Sequence, residues 1–291
     1  MENIFIIGSS GFLGNYIINE FYKKYTIFAH INKNFPKDKK KVNFVKFKLT
    51  KTDKLKAFLE KKSITKIVYL ASITDVEECQ KNKQKIKNLH VNIVKNIIKL
   101  IKNKSISIIF ISTDQLFDGK TKTEYSERSK KNPLNYYGLT KSLAENELTK
   151  LKNTLVIRCN FFGKNFSVSR PSFSDKLINY LNNNKKIELW CDVFFSPMHV
   201  INLAYVIRFL CDRGHSGIYN ISSSKISKYD LACKIAKKLS LNSSLIKKNK
   251  FDVKKFSNRG KNCTLSNKKI LKKYPQLKKK LSLNAQINLL K

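Results

Sequence analysis

The sequence predicts an α/β protein built on a doubly wound parallel sheet, and three observations carry that expectation. Strand and helix signatures alternate through the first half of the chain, the order that lays helices on both faces of a parallel sheet. Two strand signatures, Lys66-Ile67-Val68-Tyr69-Leu70-Ala71 and Ile106-Ser107-Ile108-Ile109-Phe110-Ile111, are almost continuously apolar, as strands covered on both faces are, which makes them the central strands. The chain also opens on Ile4-Phe5-Ile6-Ile7-Gly8-Ser9-Ser10-Gly11-Phe12-Leu13-Gly14, which reads as a buried strand, a glycine-rich turn and the first turn of a helix.

Taken in order, residues 3–7 are the first strand, stopped by Gly-Ser-Ser-Gly, and 12–24 the first helix. Strands at 26–31 and 43–48, a helix at 53–61 and the strand at 66–71 continue the alternation. A long helix at 84–103 leads to the strand at 106–112, and a helix at 135–152 leads to the strand at 154–159. Beyond about residue 163 the pattern changes. It gives a helix near 173–183, an Asn-Asn-Asn-Lys-Lys turn, a short strand ending at Trp190 and a helix near 200–212. The run Gly217-Ile218-Tyr219-Asn220-Ile221 and a helix near 228–239 follow. This predicts a sheet domain over 1–165, completed by 200–213, and a smaller C-terminal α/β lobe made of 166–199 and 214–291.

Composition bounds the partners. At 291 residues with 42% hydrophobic content the chain can bury a sizeable core, and no apolar run approaches the roughly 20 residues of a membrane helix. Cys79, Cys159, Cys191, Cys211, Cys233 and Cys263 are scattered, with no C-x-x-C pair and no histidine cluster, so they read as reduced thiols of a cytoplasmic protein without a metal site. A formal charge of +39 would draw any polyanion. Lysine outnumbers arginine about ninefold, however, whereas base and bidentate phosphate recognition favour the arginine fork. Lys, Asn, Ile, Phe and Tyr, residues of AT-rich codons, are enriched together, which reads as compositional drift and not as a specific nucleic-acid site.

The opening glycines carry the first chemical signal. Gly8, Gly11 and Gly14 at three-residue spacing let the backbone turn tightly, approach a pyrophosphate and pack helix on strand, while N–H groups at the helix start face the negative charge. That is the signature of a Rossmann-type dinucleotide site, for which an ordinary strand-turn-helix corner is the plainer alternative. The second signal is Tyr137-x-x-x-Lys141 on a predicted helix, where a spacing of four puts both side chains on one face. An ammonium beside a phenol favours the phenolate, bringing it toward a range useful for proton transfer. Upstream, Ile111-Ser112-Thr113-Asp114 ends a buried strand at the carboxyl edge of the sheet, where open α/β sheets bind ligands.

Through Gly8-x-x-Gly11-x-x-Gly14, Asn92, Thr113 and Tyr137-x-x-x-Lys141 the chain resembles the extended short-chain dehydrogenase/reductase superfamily over nearly its whole length. Within it, Ser112-Thr113-Asp114-Gln115-Leu116-Phe117-Asp118-Gly119, Asn132-Pro133-Leu134-Asn135-Tyr136-Tyr137-Gly138, Ser196-Pro197 and Arg259-Gly260-Lys261-Asn262-Cys263-Thr264-Leu265 most resemble the dTDP-4-dehydrorhamnose reductases. The resemblance implies reduction of a nucleotide-linked 4-keto-6-deoxy sugar for cell-surface polysaccharide precursors. Tyr137 would protonate the carbonyl oxygen, Lys141 would lower its pKa and hold the nicotinamide ribose, and Thr113 would orient the carbonyl. Asp114, Phe161 and Arg259 would face the sugar nucleotide. Gly8, Ser10, Gly11, Phe12, Leu13 and Gly14 would surround the dinucleotide's pyrophosphate, with Ala71, Ser72, Ile73 and Asn92 along its path. The second strand ends Ala29-His30-Ile31-Asn32-Lys33, lacking the acid that would bind a ribose 2′-hydroxyl. That favours NADPH, with NADH possible, and sets His30 and Lys33 at the adenosine end. A homodimer is compatible with the resemblance.

Competing readings share the fold. A sugar-nucleotide dehydratase needs a carboxylate beside the Thr-Asp pair as proton shuttle, and Gln115 stands there instead. An epimerase uses the same tyrosine and retains its cofactor. A non-catalytic NADP-binding regulatory subunit, like the family's partner of methionine adenosyltransferase, is the reading from a different class.

Overall fold

A computed structural model of the chain describes residues 1–32, 34–36, 42–166, 170–252 and 254–290. Its main sheet has seven strands: β1 (Glu2–Ile7), β2 (Tyr25–His30), β3 (Asn43–Val45), β4 (Ile64–Tyr69), β5 (Ser107–Thr113), β6 (Thr154–Cys159) and, late in the chain, β11 (Gly217–Asn220). Their order is β11-β6-β5-β4-β1-β2-β3, and β1 pairs in parallel with both β2 and β4. The two nearly continuous apolar runs are therefore β4 at the centre and β5 beside it, as the lack of polar alternation required. The short strands β7 (Phe161–Phe162), β8 (Ile187–Trp190), β9 (Phe194–Phe195) and β10 (Met198–His199) follow β6.

The helices α1 (Phe12–Phe21), α2 (Thr52–Lys61), α3 (Val76–Lys81), α4 (Lys83–Lys87), α5 (Ile93–Ile101) and α6 (Tyr136–Leu148) cover the sheet strands in sequence order. Two details depart from expectation. The loop expected after β4 contains the turn of helix α3, capped by Asp75, whose carboxylate accepts the Glu78 N–H at 2.8 Å. The helix expected over 84–103 is α4 and α5 joined by a π-helical turn at Asn88–Asn92, a wide turn that inserts a residue into an otherwise continuous helical pattern.

The chain divides into two compact units. One comprises 1–112, 136–157 and 204–218, the other 113–135, 158–203 and 219–291. In the first, Phe5, Ile67, Tyr69, Ile97, Ile108, Phe110 and Val156 belong to one buried cluster, burying the large apolar side chains that dominate core stability. In the second, α7 (Phe173–Asn182) and α9 (Lys228–Lys238) bury Leu177, Leu181, Leu231 and Ile235 in a second cluster. Ser172 caps α7 in a reciprocal capping box with Asp175. Between these helices in sequence lies α8 (Val200–Asp212), and β12 (Ile226–Ser227) pairs antiparallel with β9. β13 (Ile246–Asn249) pairs in parallel with β8. Its Ile-Lys-Lys-Asn sequence has one buried residue in four, so no alternation marks it as a strand, and lysines on such an edge discourage pairing with other chains.

Candidate active site

The glycine turn follows from close backbone packing. Gly8 sits at φ +88°, a left-handed conformation that glycine adopts freely, and a Cβ there would lie 2.6 Å from the Ala71 amide nitrogen. Gly14, inside the first turn of α1, would place its Cβ 2.4 Å from the Ser9 carbonyl oxygen. The turn is closed by Gly11 N–H to Gly8 O at 3.1 Å. No side chain caps α1 at Gly11, so the N-terminal end keeps the backbone character that suits an anion. Ser10 and Phe12 are partly buried at its mouth, Leu13 points into the core, and Ser9 Oγ donates to His30 O at 2.8 Å, tying the turn to the end of β2. These residues fit a dinucleotide pyrophosphate.

At the end of β2 the His30 ring is turned inward. Its Nε2 lies 2.7 Å from Phe47 O, and it meets Phe5 and Phe47 edge-on. Burial pushes its pKa down, against the pull of the Phe47 carbonyl. The imidazole is thus committed to the core, and only its strand end is available to an adenosine. Lys33 lies outside the described residues.

Sequence reasoning missed the residue that organises the next segment, His90. It stands in the π-helical turn, 1% exposed. The Ile73 N–H donates to Nε2 at 3.2 Å, Ser72 Oγ lies 3.0 Å from the same nitrogen, and Nδ1 lies 2.9 Å from Thr140 Oγ1 on α6. A backbone N–H only donates, so Nε2 is the acceptor and the ring proton sits on Nδ1. Thr140 Oγ1 in turn bonds the Tyr136 and Tyr137 carbonyls. One imidazole therefore ties the Ala71-Ser72-Ile73 loop to the helix bearing Tyr137. Burial, reinforced by the Lys141 ammonium, pushes its pKa down to about 2 and keeps it neutral. Asn92, in the same turn, instead donates from Nδ2 to Asn88 Oδ1 at 2.6 Å.

Tyr137 and Lys141 share a face of α6 one turn apart. Tyr137 packs among Ile73, Val76, Cys79 and Ile86 and meets the His90 ring edge-on at 5.8 Å. Lys141, 3% exposed, donates from Nζ to Ile111 O at 2.7 Å and lies 4.4 Å above the Phe110 ring. The ammonium is thereby anchored to β5 two residues before Thr113, at the carboxyl edge of the sheet. Cation–π contact and a carbonyl acceptor offset part of its desolvation.

Beyond β5, Thr113 Oγ1 donates to Asp114 Oδ1 at 3.2 Å and accepts from the Gln115 N–H at 3.2 Å. Asn160 Nδ2, also missed from the sequence, donates to Asp114 Oδ2 at 2.9 Å. Burial pushes the Asp114 pKa up, against the Asn160, Gln115 and Thr113 hydrogen bonds that favour its charge. The single hydroxyl proton of Thr113 is thus given to Asp114, and donating it elsewhere requires that bond to be exchanged. Phe161 is half of the two-residue strand β7, paired with β10 and partly buried. Arg259 stacks its guanidinium 5.4 Å from the Trp190 ring and 6.0 Å from Phe251. Among the described residues no group of three or more metal-ligating side chains clusters, and no helix is long and apolar enough to cross a membrane.

A model of the RmlD substrate binding domain matches residues 1–286. The chain belongs to that family. Among solved structures similar to this RmlD-family chain is a hypothetical dTDP-4-dehydrorhamnose reductase from Sulfolobus tokodaii. It is 27% identical and superposes with a TM-score of 0.82 over 93% of this chain and 94% of that one. The fold also matches dTDP-4-dehydrorhamnose reductase of Bacillus anthracis, solved in complex with NADP, at 22% identity and a TM-score of 0.78, over 94% of this chain and 92% of that one. Among curated relatives, methionine adenosyltransferase 2 subunit beta of Mus musculus is 26% identical over 258 residues, 84% of this chain and 74% of that protein.

Proposed function

We propose that this RmlD-family chain is an NAD(P)H-dependent reductase of a nucleotide-linked 4-keto-6-deoxy sugar, feeding cell-surface polysaccharide precursor synthesis. One observation carries the reading: α6 holds Tyr137 and Lys141 on one face, with the Lys141 ammonium fastened to Ile111 O beside the strand end that bears Thr113. The Gly8–Gly14 turn and the N-terminus of α1 would hold the dinucleotide's pyrophosphate, and Ala71, Ser72 and Ile73 would flank it. Bound in reduced form, it supplies the hydride to the sugar's C4 carbon. Tyr137 gives its phenolic proton to the carbonyl oxygen as that oxygen becomes a hydroxyl. Lys141 stabilises the phenolate left behind by its charge. Thr113 exchanges its bond to Asp114 for one to the carbonyl oxygen, while Asp114 and Phe161 border the sugar. Mixing purified protein and NADPH with a panel of nucleotide-linked keto sugars, and following loss of the reduced nicotinamide, tests this directly; no oxidation with any of them refutes it.

The second reading is a non-catalytic NADP-binding subunit, favoured by the likeness to methionine adenosyltransferase 2 subunit beta. It predicts dinucleotide binding without turnover, together with capture of a catalytic partner. Intact Thr113, Tyr137 and Lys141 favour the reductase. The glycine cradle serves both readings equally and does not separate them.

A further inference from the structure

Gln115 stands where a dehydratase would carry a carboxylate, and no step above uses its side chain. That side chain belongs to a series of hydrogen bonds whose direction is fixed at one end. The Asn258 carbonyl can only accept, so the Asn135 amide group facing it at 3.0 Å is Nδ2. The same Nδ2 lies 3.3 Å from the Gln115 amide, which must therefore present its oxygen, Oε1, to Asn135. This turns Gln115 Nε2 toward Asp114 Oδ1, at 3.4 Å. Asp114 Oδ1 thus has two donors, Gln115 Nε2 and Thr113 Oγ1, the latter at 3.2 Å, while Oδ2 takes Asn160 Nδ2 at 2.9 Å. The Gln115 backbone N–H donates to Thr113 Oγ1 at 3.2 Å, so one residue bonds both members of the Thr-Asp pair. Asp114 is 1% exposed and Asn135 is buried as well, and Gln115 is partly buried. Water is therefore poorly placed to replace a donor that leaves Oδ1. All six residues lie in the second unit.

We propose that Gln115 is the positioning residue that releases the Thr113 hydroxyl to the sugar's carbonyl oxygen: its backbone N–H holds Thr113 Oγ1, and its side-chain amide keeps Asp114 Oδ1 satisfied when the hydroxyl proton turns away. This rests on the reductase reading above. No covalent bond changes in the turn. The Thr113 proton stays on its own oxygen and exchanges one acceptor, Asp114 Oδ1, for another, the carbonyl oxygen. Without a second donor, the turn would leave a buried carboxylate oxygen unpartnered as the transition state forms, and the barrier would rise by that penalty. With Gln115 Nε2 in place, the resting state shares one acceptor between two donors and the turned state keeps one of them. Burial pushes the Asp114 pKa up, and the Asn160, Gln115 and Thr113 bonds oppose it, so the Gln115 bond also helps hold the carboxylate charged. A glutamate at 115 could not do this. Ionised, it has no proton to donate and adds a like charge beside Asp114. A neutral amide donor therefore suits a reductase, in which Tyr137 supplies the proton.

The test follows NADPH oxidation by the full chain with a dTDP-linked 4-keto-6-deoxy sugar, or whichever member of the keto-sugar panel the wild type reduces. Alongside it, the Asp114 carboxyl carbon is titrated by NMR in the free protein. Gln115→Met keeps the stem and removes the donor. Its kcat should fall roughly tenfold, as loss of one hydrogen bond to a buried charge requires. The KM for the sugar, and NADPH affinity by fluorescence titration, should each change less than about twofold, because the bond matters only once Thr113 has turned. In the same variant Asp114 should titrate higher than in the wild type, since a donor to its charged form has gone. Gln115→Glu should be at least as slow as Gln115→Met at about pH 8. Relative to the wild type it should recover as pH falls and residue 115 regains a proton to donate, a profile that a packing defect does not give. The proposal falls if Gln115→Met turns over at the wild-type rate or loses KM and not kcat. It falls equally if Gln115→Glu keeps a constant ratio to the wild type across pH, or if Asp114 titrates alike in wild type and Gln115→Met. Those results in an active enzyme remove the proposal alone, whereas a wild type that oxidises NADPH with none of the keto sugars removes the reductase reading and the proposal with it.

Discussion

Replacing His90 by phenylalanine removes an imidazole that hydrogen-bonds both the 71–73 loop and α6, and the structure sets the size of the effect. The ring volume is nearly kept, so the loss lies in hydrogen bonds. The Ile73 N–H, buried and aimed at Nε2 at 3.2 Å, would lose its acceptor at a cost of about 1–3 kcal/mol, and the bond to Thr140 adds about 1 kcal/mol. Thr140 itself keeps the Tyr136 and Tyr137 carbonyls. His90→Phe should therefore lower unfolding free energy at pH 7.5 by about 2–4 kcal/mol, read by urea denaturation. A second signature is independent of that magnitude. In the folded chain His90 stays neutral down to about pH 2, whereas an unfolded histidine binds a proton below about 6.5. Below pH 6.5 the unfolded chain thus holds a proton that the native chain lacks, and stability falls as pH falls, by about 1.4 kcal/mol per pH unit for this residue. His199, pushed down to about 4 by burial, supplies a similar slope that the variant keeps. Wild-type and His90→Phe stabilities should accordingly converge between pH 6.5 and 5, by about 2 kcal/mol in all. Parallel curves over that range, or a destabilisation below 1 kcal/mol at pH 7.5, would refute the assignment of His90 as a buried neutral acceptor.

Three further outcomes follow from the same geometry. Tyr137→Phe should bind NADPH as the wild type does and turn substrate over roughly a hundredfold or more slowly, as loss of a proton donor requires; a Phe variant at wild-type rate removes Tyr137 from the chemistry. Gly14→Ala drives a Cβ to 2.4 Å from the Ser9 carbonyl oxygen, so the turn must open, and both thermal stability and dinucleotide affinity should drop, whereas Gly11→Ala, whose nearest contact is 3.2 Å, should be tolerated better. NADPH should bind more tightly than NADH at moderate salt, because β2 ends without an acid; equal affinities by fluorescence titration would show that the strand end does not decide the preference. His30 is a poor place to install that acid, since its side chain is buried against Phe47.

Much of the fold was legible because burial on both faces leaves a plain mark. β4 and β5 are apolar runs with no alternation, and only a central position in a parallel sheet accounts for that. The glycine turn was legible for a related reason: Gly8 and Gly14 stand where a Cβ would strike backbone, and no neighbour can yield to make room. What stayed hidden was structure without a periodic signal. The π-helical turn at 88–92 inserts one extra residue per turn into a pattern that still reads as helix. β13 buries one residue in four, below what a period of two can reveal.

The site divides along the same line. Tyr137 and Lys141 could be found because they act from one helix at a fixed spacing, and Thr113 because a strand end marks its place. His90 could not, since its partners are 17 and 50 residues away, and a lone histidine in a helical stretch carries no directional information. Lys228 is harder still. In a chain where lysine fills so many solvent positions, one more lysine has no weight as a sequence observation, and exposed ion pairs such as Lys150 with Glu147 contribute little. What distinguishes Lys228 is its position: its ammonium lies against the Trp190 indole near a second cation, and among the described residues no carboxylate lies within ion-pair distance of it. The lysine excess and the charge at Trp190 are therefore separate phenomena. The first is solvated and screened by salt, while the second is packed against an aromatic ring and is screened much less.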